Sequence, residues 1–143
     1  MPSYNFAFAL ANTLSELHRF EEAFAVAREI DKGIRAGRPP FSPQLQPRYD
    51  HLLGRILFNQ GEYAGAGEYF QKALADTSVY NTRTRVSALV RLGMIQDVRR
   101  ERKQAEGFYS RALEVEGGEG VAQTEARKYL KTPYVPRPKA SNP

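Results

Sequence analysis

The sequence predicts an all-α fold: an α–α superhelix of about three helix pairs, followed by a C-terminal capping helix. Two observations carry that prediction. Three segments, Tyr4 to Ala27, Pro47 to Phe70 and Val86 to Tyr109, align without gaps over 24 residues. Within them, small and apolar residues recur in one register. Gly54, Ala66, Phe70 and Ala73 are separated by 12, 4 and 3 residues, as are Gly93, Ala105, Tyr109 and Ala112, and also Ala11, Ala23, Ala27 and Ile30. Spacings of 3, 4 and 7 place side chains on one face of a helix, so each segment reads as two helices. A large apolar residue, Leu10, Leu53 or Leu92, stands just before the small residue that opens each series. Repetition over most of the chain marks stacked units.

The first unit covers residues 4–37. Its opening stretch, Tyr4, Phe6, Phe8 and Leu10, is apolar, and His18 falls in the turn between its helices. Glu21 and Glu22 open its second helix, where carboxylates suit the positive end of the helix dipole. Gly37, Pro39, Pro40 and Pro43 stop that helix and delay the next.

The second unit covers 44–77. Gly61-Glu62-Tyr63 supplies its turn, since glycine can take the left-handed conformation there. Tyr63, like Phe20 in the first unit, enters the second helix where it can wedge the pair. The third unit covers 79–116 and has Arg100 at the corresponding turn. Asp76 or Ser78 can cap its first helix, which is expected to be longer than the others. Gly54 and Gly93, with Ala66 and Ala105, let antiparallel helices approach closely. A glycine inside a helix costs about 1 kcal/mol relative to alanine, so close packing must compensate.

The linker GGEG at 117–120 leads into a capping helix over 119–131, with Val121, Ala122, Ala126, Tyr129 and Leu130 as its apolar stripe. The helical domain is therefore 1–132. The Pro-rich tail, 133–143, is expected to be disordered. At the other end, no segment covers Tyr4, Phe6 and Phe8, which are expected to be exposed. A chain cut from a longer array is the favoured reading of that edge, and self-association through the N-terminal helix is the alternative.

The recurring residues resemble the tetratricopeptide repeat (TPR) family over roughly residues 4 to 130. The middle unit matches best, with Leu53-Gly54, Leu57, Gly61, Tyr63, Ala66, Phe70 and Ala73-Leu74. The third keeps Leu89, Leu92-Gly93, Ala105, Tyr109 and Ala112-Leu113, but has Gln96 in place of an apolar residue and Arg100 in place of glycine. The first keeps Leu10-Ala11, Leu14, Phe20 and Ala23, with Ala27 and Ile30 reversing the usual order of bulk. The family period is about 34 residues. Here Gly54 lies 43 after Ala11, and Gly93 lies 39 after Gly54. The extra residues fall in 33–43 and 76–82.

Composition excludes several functions. Apolar residues make up 41% and charged residues 26%, the range of a folded chain. The absence of cysteine removes disulfides, thiol catalysis and Cys-based zinc sites. The longest apolar run, Phe6 to Leu10, is far too short to span a membrane. No signal peptide is evident, which favours the cytoplasm only weakly and leaves localisation open. Neither His18 nor His51 sits in a metal-binding motif; His18 reads as a solvated turn residue and His51 as an inner-face one. GGEG lacks the lysine of a phosphate loop, and no nucleophilic triad is recognisable. No enzyme activity, metal or cofactor is expected. The basic run Arg99-Arg100-Glu101-Arg102-Lys103 reads as a solvated turn, with no interleaved aromatics for base stacking, so no nucleic acid is expected.

The resemblance implies a concave groove lined by the first helix of each pair. Its residues would be Asn5, Phe8 and Asn12, then Arg48, His51, Arg55, Phe58 and Asn59, then Ser87, Val90, Arg91, Met94 and Asp97. Arg48, Arg55 and Arg91 would surround an apolar floor of Phe8, Phe58, Val90 and Met94. Arginine clamps carboxylates bidentately and methionine tolerates varied apolar groups. The net charge of +5 agrees in sign. The expected function is a non-catalytic protein-interaction scaffold that binds an acidic peptide or partner segment with apolar anchors. The alternative is an accessory region that positions another domain of a larger polypeptide. Chaperone-tail recognition, known in the family, fits poorly. Asn12 and Arg91 stand at two of its sites, but Phe8, Leu52 and Ser87 stand where a lysine, an asparagine and a lysine are needed.

Overall fold

Helix ends fall where local chemistry puts them. Ser3 Oγ accepts the Phe6 N–H at 3.2 Å and caps the first helix. Glu21 and Glu22 occupy the first turn of the second, which stops at Gly37 in the left-handed conformation, φ 61°. A proline lies in the first turn of the third. The computed structural model describes residues 3–136. Among these, the elements are α1 (Tyr4–Glu16), α2 (Phe20–Ala36), α3 (Gln46–Asn59), α4 (Tyr63–Leu74), α5 (Thr82–Val98), α6 (Arg102–Glu114) and α7 (Val121–Lys131). One-turn 3-10 segments, Pro43–Leu45 and Val79–Asn81, lead into α3 and α5, and no strand is present among the described residues. Among the described residues no helix is long and apolar enough to cross a membrane.

The helices pack in consecutive pairs, α1 with α2, α3 with α4 and α5 with α6. The first helices also pack side by side, so α1, α3, α5 and α7 form a row. Each second helix lies against its own partner and against the next helix of the row.

The expected notches are present, and aromatic rings fill them. A Cβ at Gly54 would stand 2.7 Å from Phe70 Cε1, and one at Gly93 would stand 2.4 Å from Tyr109 Cε1. Phe70, Tyr109, Ala66 and Ala105 are all fully buried. The proline-rich insertion is packed as well, because the Phe41 ring covers Gly33.

The three turns share one geometry despite their different residues. His18, Gly61 and Arg100 all have positive φ, at 60°, 81° and 61°. Two of them carry a Cβ in a region that disfavours it. Arg100→Gly is therefore expected to stabilise the protein by about 0.5–1 kcal/mol, after allowing for the greater freedom of glycine in the unfolded chain. A urea midpoint at or below that of the parent would contradict this.

Four expectations need correction. α5, with 17 residues, is longer than α1 and α3, as expected, but neither Asp76 nor Ser78 caps it directly. Asp76 instead accepts the Ser78 N–H, and the buried Asn81 side chain ties the loop to the Ala73 and Asp76 carbonyls at 2.9 and 2.8 Å. In α7, Val121 is exposed, while Gln123 is buried and donates to the Ala112 and Val115 carbonyls at the end of α6. At the N-terminal edge, Phe6 is exposed, but Phe8 is buried and Tyr4 half-buried. The tail does not leave the fold at 133, because Tyr134 packs back on the row. The remainder of that tail, 137–143, lies outside the described residues.

Candidate partner-binding surface

The row α1, α3, α5 and α7 carries the expected groove residues, and contacts among the polar ones knit its helices together. Arg48 on α3 donates to Asn5 Oδ1 on α1 at 2.8 Å. Arg55 donates to Glu16 Oε1 at 2.9 Å, and Asn59 donates to Ser15 Oγ at 2.8 Å and to Glu16 at 3.3 Å. His51 Nε2 lies 2.8 Å from Ser87 Oγ on α5. Residues 5 to 91 are brought together by the stacking of successive first helices.

The apolar floor is not as expected. Phe8, Phe58, Val90 and Met94 are 1%, 5%, 2% and 3% exposed, so their side chains belong to the core. Val90 and Met94 lie in the core between the helices, and the two rings are covered by arginines. The Arg48 guanidinium lies 4.3 Å from the centre of the Phe8 ring, and that of Arg91 lies 5.0 Å from the centre of the Phe58 ring. Long basic side chains thus roof the rings they were expected to surround. At Phe8 and Phe58 the apolar part of a ligand would meet arginine-covered rings rather than a bare apolar slot.

Asp97 also departs from its expected place. It faces inward and binds its own chain: it accepts from Arg102 Nη1 at 3.1 Å through both oxygens, from Tyr109 Oη at 2.7 Å, and from the Tyr134 N–H at 3.0 Å. Arg102 continues to the Tyr129 and Leu130 carbonyls at 2.6 and 2.9 Å, near the end of α7. One member of the basic run is therefore a structural brace, whereas its neighbours Arg99 and Arg100 are exposed.

Two cavities open on the row. One, of about 170 Å3, lies between α1, α3 and α5 and is lined by Phe8, Asn12, Arg48, His51, Leu52, Arg83, Thr84 and Ser87. Asn12 Oδ1 is buried there and accepts no hydrogen bond among the described residues. The other, of about 230 Å3, lies where α1 and α3 end, beside α5 and α7, and is bordered by Glu16, His18, Arg91 and Tyr134 among others. His18 is an exposed turn residue, as expected, with its ring against Phe20. Among the described residues, no three His, Cys, Asp or Glu side chains converge as a metal site.

The electrostatics follow from this crowding. Burial lowers the pKa of Arg91, and the neighbouring Arg55 lowers it further, while Glu125 and Glu16 oppose the shift. Burial pushes the Glu16 carboxyl up, but the Asn59 hydrogen bond and the Arg55 and Arg91 charges outweigh it and leave Glu16 below its usual value. The pKa of His51 is well below the usual histidine value of 6.5, first through burial and then through Arg55, Arg91 and Arg48. The folded state therefore holds His51 neutral, while the unfolded chain takes up a proton below about pH 6.5. Stability should be complete above that pH and fall as pH drops toward the folded-state pKa, by up to about 1.4 kcal/mol per pH unit. Denaturant midpoints measured from pH 7.5 to 5 should show this slope in the parent and a flatter one in His51→Gln. Equal slopes would contradict it.

The sequence reading missed Ser15, Glu16, Arg83 and Thr84. Glu16 carried a legible signal, as an acid at the last turn of a groove helix whose neighbour has arginines. Arg83 had none, because its place at the cavity depends on how α5 is set against α3. No protein-family model, curated protein or solved structure matches this chain.

Proposed function

We propose that the helix pairs form a TPR-like superhelix with the row α1, α3, α5 and α7 on its concave side, and that the chain is a non-catalytic interaction scaffold. Support for the curvature comes from the packing. The first helices adjoin one another along the row, whereas α2, α4 and α6 pack chiefly on row helices. The ligand is an extended peptide segment bearing a carboxylate.

The observation that carries this reading is the cavity between α1, α3 and α5. Asn12, whose buried Oδ1 has no hydrogen-bond partner among the described residues, lines this cavity together with Arg48 and Arg83. An unsatisfied buried acceptor favours a ligand N–H, and the arginines favour a carboxylate. One extended strand supplies both, from its backbone and from an acidic side chain or terminus.

The test is titration of acidic peptides with apolar anchors against the parent and against Arg83→Glu and Arg48→Gln. Loss of a charge-assisted contact is expected to weaken binding roughly tenfold or more. Unchanged affinity in both variants would remove the reading.

The second reading, a region that positions another domain, draws on α1. Phe6, Leu10 and Leu17 are exposed on that helix and its C-cap. In that case Leu10→Lys, and not the arginine variants, would abolish capture of the partner.

A further inference from the structure

The segment that follows α7 has the form of a bound peptide. Thr132 is extended, and no helix follows it as far as Pro136. Pro133 and Pro136 flank Tyr134 and Val135, so the segment is stiff and loses little entropy on docking. Tyr134 is half-buried, while Pro133 and Val135 on either side are exposed. Its ring meets Tyr129 edge-on with centroids 5.4 Å apart and stands 5.9 Å from Phe58. Its backbone N–H donates to Asp97 Oδ2 at 3.0 Å. Tyr134 and Pro136 border the 230 Å3 cavity together with Tyr63, Arg91 and Met94. An aromatic anchor, a main-chain hydrogen bond and proline on both sides match the way aromatic-lined grooves take proline-rich strands.

We propose that the slot between α3, α5 and α7 is a docking site for an extended tyrosine–X–proline segment, and that residues 132–136 of this chain fill it in cis. A partner segment of the same chemistry then binds by displacing the tail. This rests on the reading of the row as a peptide-binding face. It assigns the C-terminal end of that face a ligand different from the acidic one proposed for the Asn12 cavity. The tether acts as a competitor at an effective concentration on the order of millimolar, so access for the partner depends on release of the tail.

The test uses the full chain and a fluorescent peptide with the sequence of residues 130–137. Tyr134→Ser empties the aromatic seat without touching its walls. Fluorescence anisotropy should show that this variant binds the peptide at least tenfold more tightly than the parent. A control peptide with serine in place of tyrosine should bind neither protein. Equal affinity for parent and variant, or equal binding of the two peptides, would overturn the proposal. A second measurement needs only the parent. Hydrogen exchange of the Tyr134 amide should be at least tenfold faster than that of the α5 core amides, because the seat opens locally while the helices stay folded. Exchange of that amide only with global unfolding would make the tail part of the core, and would overturn the proposal equally. Neither arm involves the Asn12 cavity, so the tail seat can fail while acidic-peptide binding stands, and the reverse.

Discussion

Asp97→Ala is expected to destabilise the protein by about 3–4 kcal/mol, the largest loss from any single polar side chain here. The Asp97 side chain is only 2% exposed and pairs with Arg102. It also accepts from Tyr109, whose ring is fully buried. Removing the carboxylate leaves a buried phenol and a tail amide without their acceptor, and it frees the guanidinium that braces the end of α7. Arg102 is 30% exposed on its side chain and can partly rehydrate, which keeps the loss below the upper limit for a buried pair. Tyr109→Phe removes one spoke of the same hub and should cost about 1 kcal/mol. The double variant should lose less than the sum, because both changes delete one hydrogen bond. The phenol's pKa lies above its usual value, because burial and then the Asp97 hydrogen bond and charge favour the protonated form. Denaturant unfolding of the three variants checks this. A loss below 1 kcal/mol for Asp97→Ala would contradict it.

Gly93→Ala should destabilise by about 2 kcal/mol, against the sign that helix propensity alone predicts. Alanine gains about 1 kcal/mol over glycine inside a helix. The new Cβ, however, would lie 2.4, 2.7 and 2.9 Å from three atoms of the Tyr109 ring. That ring is enclosed on all sides and held by its hydroxyl on Asp97, so it cannot swing away. Overpacking of this kind costs about 1–3 kcal/mol or more and outweighs the gain. Gly54→Ala meets the Phe70 ring at 2.7 Å, and no hydroxyl tethers that ring, so its loss should be smaller. Gly107 supplies the contrast: it lies within α6, and nothing stands within 4 Å of its added Cβ. Gly107→Ala should therefore stabilise by about 0.5–1 kcal/mol. Thermal or urea unfolding of the three variants should rank them in that order. A stabilised Gly93→Ala would mean that the notch has slack and that the rings do not set the helix spacing.

The all-α class, the seven helices among the described residues, the place of each turn and the glycine notches are all legible in the order of residues. These are local properties, or properties of one helix against its immediate partner. The periods of 3, 4 and 7, the proline and glycine stops, and the matched series at Gly54 and Gly93 encode them directly. Even Arg100, which lacks the glycine signal, takes the left-handed turn, because the helices on either side require it.

What the surface residues do depends instead on how the helices stack. Arg48 and Arg91 were legible as basic groove residues, but not as the covers of Phe8 and Phe58. Asp97 was legible as an acid on the inner face, but not as the acceptor that ties α5 to two side chains of α6 and to the segment after α7. Composition places Tyr134 in a disordered tail, yet it occupies a seat built from α3, α5 and α7. In each case the outcome depends on contacts between residues far apart in sequence. Such contacts are fixed by the spacing and tilt of stacked helices, and no periodicity within one helix records them.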